Sequence, residues 1–260
     1  MATLEIGSWM YGGFCSNINT ILAYLYNNRH ISSIKWNIKS GQSGPLAYIA
    51  EGTELFGLLF EEDGQEEVVY NYDNKAWENC DISLGNAIRI YHDSELRSEY
   101  SKIYHRFFRP KKALLNGLFD TLIGHQFSSD RKYVSILIRS DCLGSEQPNG
   151  IMPTIEDYVR FTQDVENATY ILSVDNHADL EICKKIFKPF VYNPRIRRSP
   201  DRSTEPHTSK IGTLCDLYDT FLEVYLLAKG DYIVHPISNM STTSLLINPN
   251  QESRFINATS

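Results

Sequence analysis

The sequence predicts an α/β fold in two halves, each built on a parallel sheet with flanking helices. Three observations carry this. Segments of period 2 and period 3.6 alternate along the whole chain. In the second half, strand and helix patterns follow one another in strict turn, an order that implies a parallel sheet with helices on both faces. Several apolar strands end abruptly in charged or polar residues, as strands do where they offer groups to a ligand at their carboxyl ends.

In the first half, Leu4–Ser8 reads as a short strand and Gly12-Gly13 as a turn. Cys15–Asn28 has Ile18, Ile21, Leu22 and Leu25 on one helical face. Ser32–Ile38 and Val68–Tyr72 are further strands. Ser94–Phe108 is an aromatic, amphipathic helix broken at Pro110, and Lys111–Gly124 resumes it with Leu114, Leu115, Leu118 and Leu122. The stretch His125–Lys132 is polar and loop-like. The boundary falls near here, giving an N-terminal domain over 1–120 and a C-terminal domain over 121–260.

The second half is the clearer one. Tyr133–Ile138 is a strand, and Thr154–Val165 a helix with Thr154 as N-cap and Asp157 at the third helical position. Ala168–Val174 is a strand, Ala178–Phe187 a helix and Pro189–Tyr192 a short strand. Asn193–Ile211 is a long polar loop of the kind that is often functional. Asp216–Lys229 is a helix closed by Gly230 at C′, Asp231–His235 a strand, and Ser238–Leu246 a polar turn entering a helix. Two such halves with loops at strand ends make a cleft, where ligands prefer to bind.

Composition narrows the function. The net charge of -7 argues against a nucleic-acid surface, which needs clustered Lys and Arg. The local cluster Arg195-Ile-Arg197-Arg198 still suits one small anion. Five scattered cysteines without a CxxC support neither a zinc site nor a disulfide framework. There is no leader-like N-terminus and no apolar run near the ~18 residues of a membrane span. The expectation is a cytoplasmic protein with no membrane span. P-loop, dinucleotide, nucleophile-elbow and zincin motifs are missing, as is any D-x-D pair that would hold a metal-bridged diphosphate.

The chemistry concentrates in Ile136-Leu-Ile-Arg139-Ser-Asp141-Cys-Leu-Gly144-Ser-Glu146. A guanidinium at a strand end suits a phosphate; the alternative is an ion pair with Asp141. Glu146, in a polar loop, would remove a proton from a hydroxyl, or is simply a solvated acid, and Asp141 competes for the base role. Asp175-Asn176 either touch a ligand or cap the next helix. Glu223 lies on an apolar helix, costly unless paired or pointed into a site. Ser238-Asn239, heading a helix, offer an anion site or plain capping. His207 reaches a phosphate or decorates the surface, and His235 is a strand-end residue.

Three segments resemble the fucosyltransferase superfamily, in particular α1,6-fucosyltransferases and protein O-fucosyltransferases. Leu137-Ile138-Arg139-Ser140-Asp141-Cys-Leu-Gly144-Ser-Glu146 is similar to the family's H-V-R-R-T-D-K-V-G-T-E, with Leu137 in place of the histidine and one arginine in place of two. Tyr170–Asn176 resembles the strand ending in T-D-D. Glu205-Pro-His207 through Leu222–Asp231 to Ser238-Asn239 resembles the final donor-binding block. Gly12-Gly13-Phe14-Cys15-Ser16-Asn17-Ile18-Asn19 looks like the G-x-G-N-Q-L-x opening of these enzymes.

The resemblance implies a GT-B-like fold, two Rossmann-like domains with parallel sheets facing across a cleft. The N-terminal domain would face the acceptor and the C-terminal one the nucleotide sugar. It implies inverting, metal-independent transfer of L-fucose from GDP-fucose to a glycan, without a cofactor. Arg139 would hold the β-phosphate and Glu146 activate the acceptor. Glu223 would read guanine. Asp175, His207, Ser238, Asn239 and Met240 would complete the donor site, with Gly12, Gly13, Phe14 and Asn17 forming the N-terminal loop. A UDP-sugar donor and a non-catalytic glycan-binding module are the alternatives. Oligomeric state is not legible.

Overall fold

The computed structural model describes residues 2–6, 14–36, 55–61, 68–71, 87–118, 124–139, 141, 147, 150–203 and 214–257. In chain order the elements are β1 (Ala2–Ile6), α1 (Phe14–Asn27), β2 (Ile31–Trp36), α2 (Leu55–Leu59), β3 (Val68–Asn71), α3 (Ala87–His92), α4 (Ser94–Phe107) and α5 (Lys112–Leu118). Then come β4 (Lys132–Ile138), α6 (Ile155–Arg160), β5 (Ala168–Val174), α7 (His177–Ile186), β6 (Phe190–Tyr192), α8 (Leu214–Leu227), β7 (Tyr232–His235), α9 (Asn239–Ile247) and β8 (Glu252–Phe255).

All named strands run parallel, so the α/β expectation holds. One sheet has the order β2-β1-β3, the other β6-β5-β4-β7-β8. The chain builds the larger sheet outward from β4 to β6, then returns to place β7 on the other side of β4. This doubly wound order reverses between β4 and β7, and ligands of such sheets bind outside the strands' carboxyl ends at that reversal.

The strand β4 is buried on both faces, which its apolar run, interrupted only by Ser135, predicts. Val134, Ile136 and Ile138 pack with Ile155 and Tyr158 of α6 and Leu180 and Cys183 of α7. Leu137 points the other way, to Leu227 of α8 and Leu245 of α9. The other faces of α8 and α9 join the first half's core. Phe221, Val224, Tyr225 and Leu246 share one cluster with Ile18, Leu22, Phe60, Tyr104 and Phe108. Two helices sandwiched in this way must be apolar or internally satisfied all round. The run Phe221–Ala228 is buried throughout. The buried hydroxyls of α9 answer to neighbours: Thr243 donates to Asn19 Oδ1 (3.0 Å) and Ser244 to Gln251 Oε1 (3.0 Å).

Local signals act where expected, with adjustments. Thr154 and Asp157 form the reciprocal capping box of α6, which stops at Arg160 instead of reaching Val165. The Thr162 hydroxyl there bonds back to the Tyr158 and Val159 carbonyls at 3.0 Å each. The helix α8 ends at Leu227, so Gly230 is not its C′ residue. Gly230 is required by space: a Cβ would sit 2.4 Å from Ser135 Oγ and 2.7 Å from the Tyr232 carbonyl. The elements α2, α3 and β8 carry no pattern strong enough to predict.

Candidate active site

Two neighbouring strands end in opposite charges. Arg139 follows β4 and Asp175 follows β5, side by side because Ile138 pairs with Val174. Arg139 Nε lies 3.3 Å from Asp175 Oδ2, the two side chains being 14% and 15% exposed. The arginine's partner is therefore Asp175, not Asp141. No described residue accepts a hydrogen bond from its terminal nitrogens, which leaves a forked cation at the sheet's carboxyl edge.

Asp141 is held elsewhere. Its carboxylate takes Arg202 Nη2 at 2.8 Å and Nε at 2.9 Å, and its amide donates to the Arg202 carbonyl. Arg202 also donates to the Pro153 carbonyl and approaches Asp179 Oδ2 at 3.5 Å. This cluster fastens the loop after β4 to the start of α7. Asn176 is the N-cap of α7, its side chain accepting from Asp179 N–H at 2.8 Å.

Across the reversal, the turn after β7 is gripped from two sides. Gln147 Oε1 accepts from Ile237 N–H and its Nε2 donates to the Ile237 carbonyl, both at 3.0 Å. Tyr91 Oη, from α3, accepts from Ser238 N–H at 3.2 Å and lies 3.1 Å from Ser241 Oγ. The Ser238 hydroxyl accepts from Met240 N–H, so it serves as N-cap of α9. Asn19 of α1 donates to the Asn239 carbonyl and Oδ1, 3.1 Å each. Beneath the turn, His235 is fully buried. Its Nδ1 donates to the Pro236 carbonyl at 2.8 Å, since a carbonyl only accepts, and its Nε2 is 2.9 Å from Ser253 Oγ. Burial lowers its pKa to about 4.

The third component lies between β5 and α8. Glu223 is 1% exposed, and neither carboxylate oxygen accepts a hydrogen bond from a described residue. Burial raises its pKa to about 7, with Arg198 and the Ser173 hydroxyl opposing and Asp175 and Asp219 adding to the rise. That hydroxyl is oriented to Met240 Sδ at 3.8 Å. The Arg198 guanidinium is spent on backbone, donating to the carbonyls of Val174, Ile196 and Asn193 at 3.0 Å each. Arg195 Nε is 3.3 Å from Asp219 Oδ1. A buried carboxyl with two empty acceptors asks for a ligand carrying N–H donors.

No protein-family model matches this sequence, and no curated protein matches it. Solved structures do. An α-1,6-fucosyltransferase NodZ soaked with GDP-fucose superposes with a TM-score of 0.55 at 12% identity, over 94% of this chain and 92% of that one. The fucosyltransferase NodZ from Bradyrhizobium gives 0.53 at 11% identity, over 93% and 91%. The fold is the GT-B-like fold of the NodZ fucosyltransferases.

Within this NodZ-like fold, Arg139, Asp175, Glu223, Ser238, Asn239 and Met240 gather around the carboxyl ends of β4, β5 and β7. Phe14 is buried against Phe221, its ring 6.1 Å away, and Asn17 is buried in α1. Glu146, His207, Gly12 and Gly13 lie outside the described residues. Among the described residues, no helix is long and apolar enough to cross a membrane. Gln147, Tyr91 and Arg202 escaped sequence reasoning. A lone amide, phenol or guanidinium carries no periodicity; Gln147, beside Glu146, and Arg202, within the Asn193–Ile211 loop, were near recognised segments, and Tyr91 was not.

Proposed function

We propose that the chain is an inverting, metal-independent glycosyltransferase that moves L-fucose from GDP-fucose to a glycan acceptor, residues 121–260 holding the donor and 1–120 facing the acceptor. Glu146 takes the proton of an acceptor hydroxyl as that oxygen attacks the anomeric carbon from the side opposite the leaving group. The bond to the β-phosphate breaks, and the departing diphosphate is met by Arg139 and the head of α9. The NodZ structures, one of them soaked with GDP-fucose, support the class of donor.

The observation that carries the guanine choice is Glu223. Its two oxygens, without a hydrogen-bond donor among the described residues, match an edge with adjacent N–H donors, as guanine presents; uracil offers one N–H between two carbonyls. Calorimetric titration with GDP and with UDP, in EDTA, tests this. GDP should bind at least about tenfold more tightly, the worth of one well-made charged hydrogen bond. Equal affinities would remove the guanine assignment, and no binding of either nucleotide would remove the transferase.

A further inference from the structure

The head of α9 is gripped by a residue 147 positions away, from the other half of the chain. Tyr91 of α3 is 3% exposed, its ring edge-on to His235 and tilted against Phe255, with centroids 4.5 Å and 5.3 Å away. Its hydroxyl accepts from Ser238 N–H at 3.2 Å. The phenol's own hydrogen has the Ser241 hydroxyl at 3.1 Å, the Thr242 hydroxyl at 3.2 Å and the Ser238 carbonyl at 3.3 Å within reach. Burial raises the Tyr91 pKa, so the group stays a neutral hydroxyl that both donates and accepts. Of the N–H groups that open the helix, two are therefore already bonded. Ser238 N–H goes to Tyr91, and Met240 N–H to the Ser238 hydroxyl at 3.2 Å. Asn239 N–H, between them, has no acceptor among the described residues. The Cys15 thiol, bonded to Thr243 of α9, also feels the Arg139 charge, so that cation and this helix border one space.

We propose that Tyr91 is a positioning residue for the donor's diphosphate: by taking up Ser238 N–H it sets the head of α9 so that Asn239 N–H meets the phosphate beside Arg139. This rests on the reading of Arg139 and the head of α9 as the diphosphate site. The donor site is then completed from residues 1–120 as well as from 121–260. Without the phenol oxygen the buried Ser238 N–H loses its acceptor, and the turn must shift to find another.

Calorimetric titration of the wild type, Tyr91→Phe and Arg139→Ala with GDP and with guanosine separates phosphate from base. The wild type should bind GDP at least about tenfold more tightly than guanosine. Y91F should weaken GDP binding about tenfold, the cost of one buried N–H left unpaired, and guanosine binding by less than about twofold. A general distortion of the fold would move both ligands alike. R139A should also lose GDP affinity and keep guanosine affinity. An equal loss for both ligands in Y91F, or no loss for either, would overturn the role of Tyr91, and a GDP-only loss in R139A would then leave the diphosphate site standing. A wild type that binds GDP no more tightly than guanosine would overturn the site and the role of Tyr91 together. If Y91F does not fold, amide exchange of the wild type, followed residue by residue by NMR, decides. Ser238 N–H should be protected before GDP is added, and Asn239 N–H should gain protection only with it. A Ser238 N–H that exchanges freely until GDP binds would mean that it serves the diphosphate and not Tyr91.

Discussion

At the Ile237–Ser238 turn, burial hides two peptide units and a hydroxyl, and each has a partner: Gln147, Tyr91, the Ser241 hydroxyl and the Met240 amide. At Glu223, burial is as deep and the two carboxylate oxygens have none among the described residues. The difference separates frame from hole. Satisfied polar groups in a dry place become rigid, because any displacement leaves one of them unpaired. An unsatisfied carboxyl in a dry place holds its proton up to about pH 7 and gains from any ligand that brings donors.

The largest effect that bears on this contrast is a pH effect. Glu223 has its folded pKa raised from 4.5 to about 7, so its contribution to stability is complete below about pH 4.5 and lost as pH rises to about 7. His235, under the turn, is lowered from 6.5 to about 4, so its contribution is present above about pH 6.5 and lost as pH falls to about 4. The two slopes oppose each other over most of one window. Glu223→Gln removes one of them. The stability of E223Q relative to wild type should therefore grow by about 3 kcal/mol between pH 4.5 and 7, measured by urea unfolding. A constant difference would mean that Glu223 is not the unpaired group.

Arg139 bears on Glu223 through Asp175, which it pairs and which otherwise raises Glu223 further. Arg139→Ala should slow GDP release from GDP-fucose about 100-fold, the cost of one charge-stabilising donor. It should also move the E223-dependent titration to higher pH. A loss under about threefold would detach Arg139 from the leaving group. The smallest effect belongs outside both regions. Thr154→Ala removes the capping box on the opposite face of the sheet and should cost about 1 kcal/mol by thermal unfolding. GDP affinity should stay unchanged; a change would mean that the α6 face communicates with the site.

The strands β4 and β5 and the helices α1, α4 and α8 were legible because their apolar patterns are long and regular. Arg139 and Glu223 were legible because a charge interrupting such a pattern stands out. Their partners were not. For Arg139 the alternative to a phosphate was an ion pair with Asp141, two residues on; beyond the end of β4 the Asp141 carboxylate turns to Arg202, and the neighbour of Arg139 in space comes from the adjoining strand. The short α3 has too few residues to show a period, so Tyr91 had no element to belong to.

The sequence by itself determined the alternation of strands and helices, the caps of α6 and α7, and the positions where charge meets an apolar run. These are properties of neighbouring residues, set by backbone periodicity and local hydrogen bonding. Only the tertiary structure decided which strand lies beside β4, that Arg139 faces Asp175, that Gln147 closes on Ile237 and that Glu223 accepts no hydrogen bond from a described residue. Those depend on sheet order and on which side chains fill a shared dry space, and neither is written in the spacing of residues along the chain.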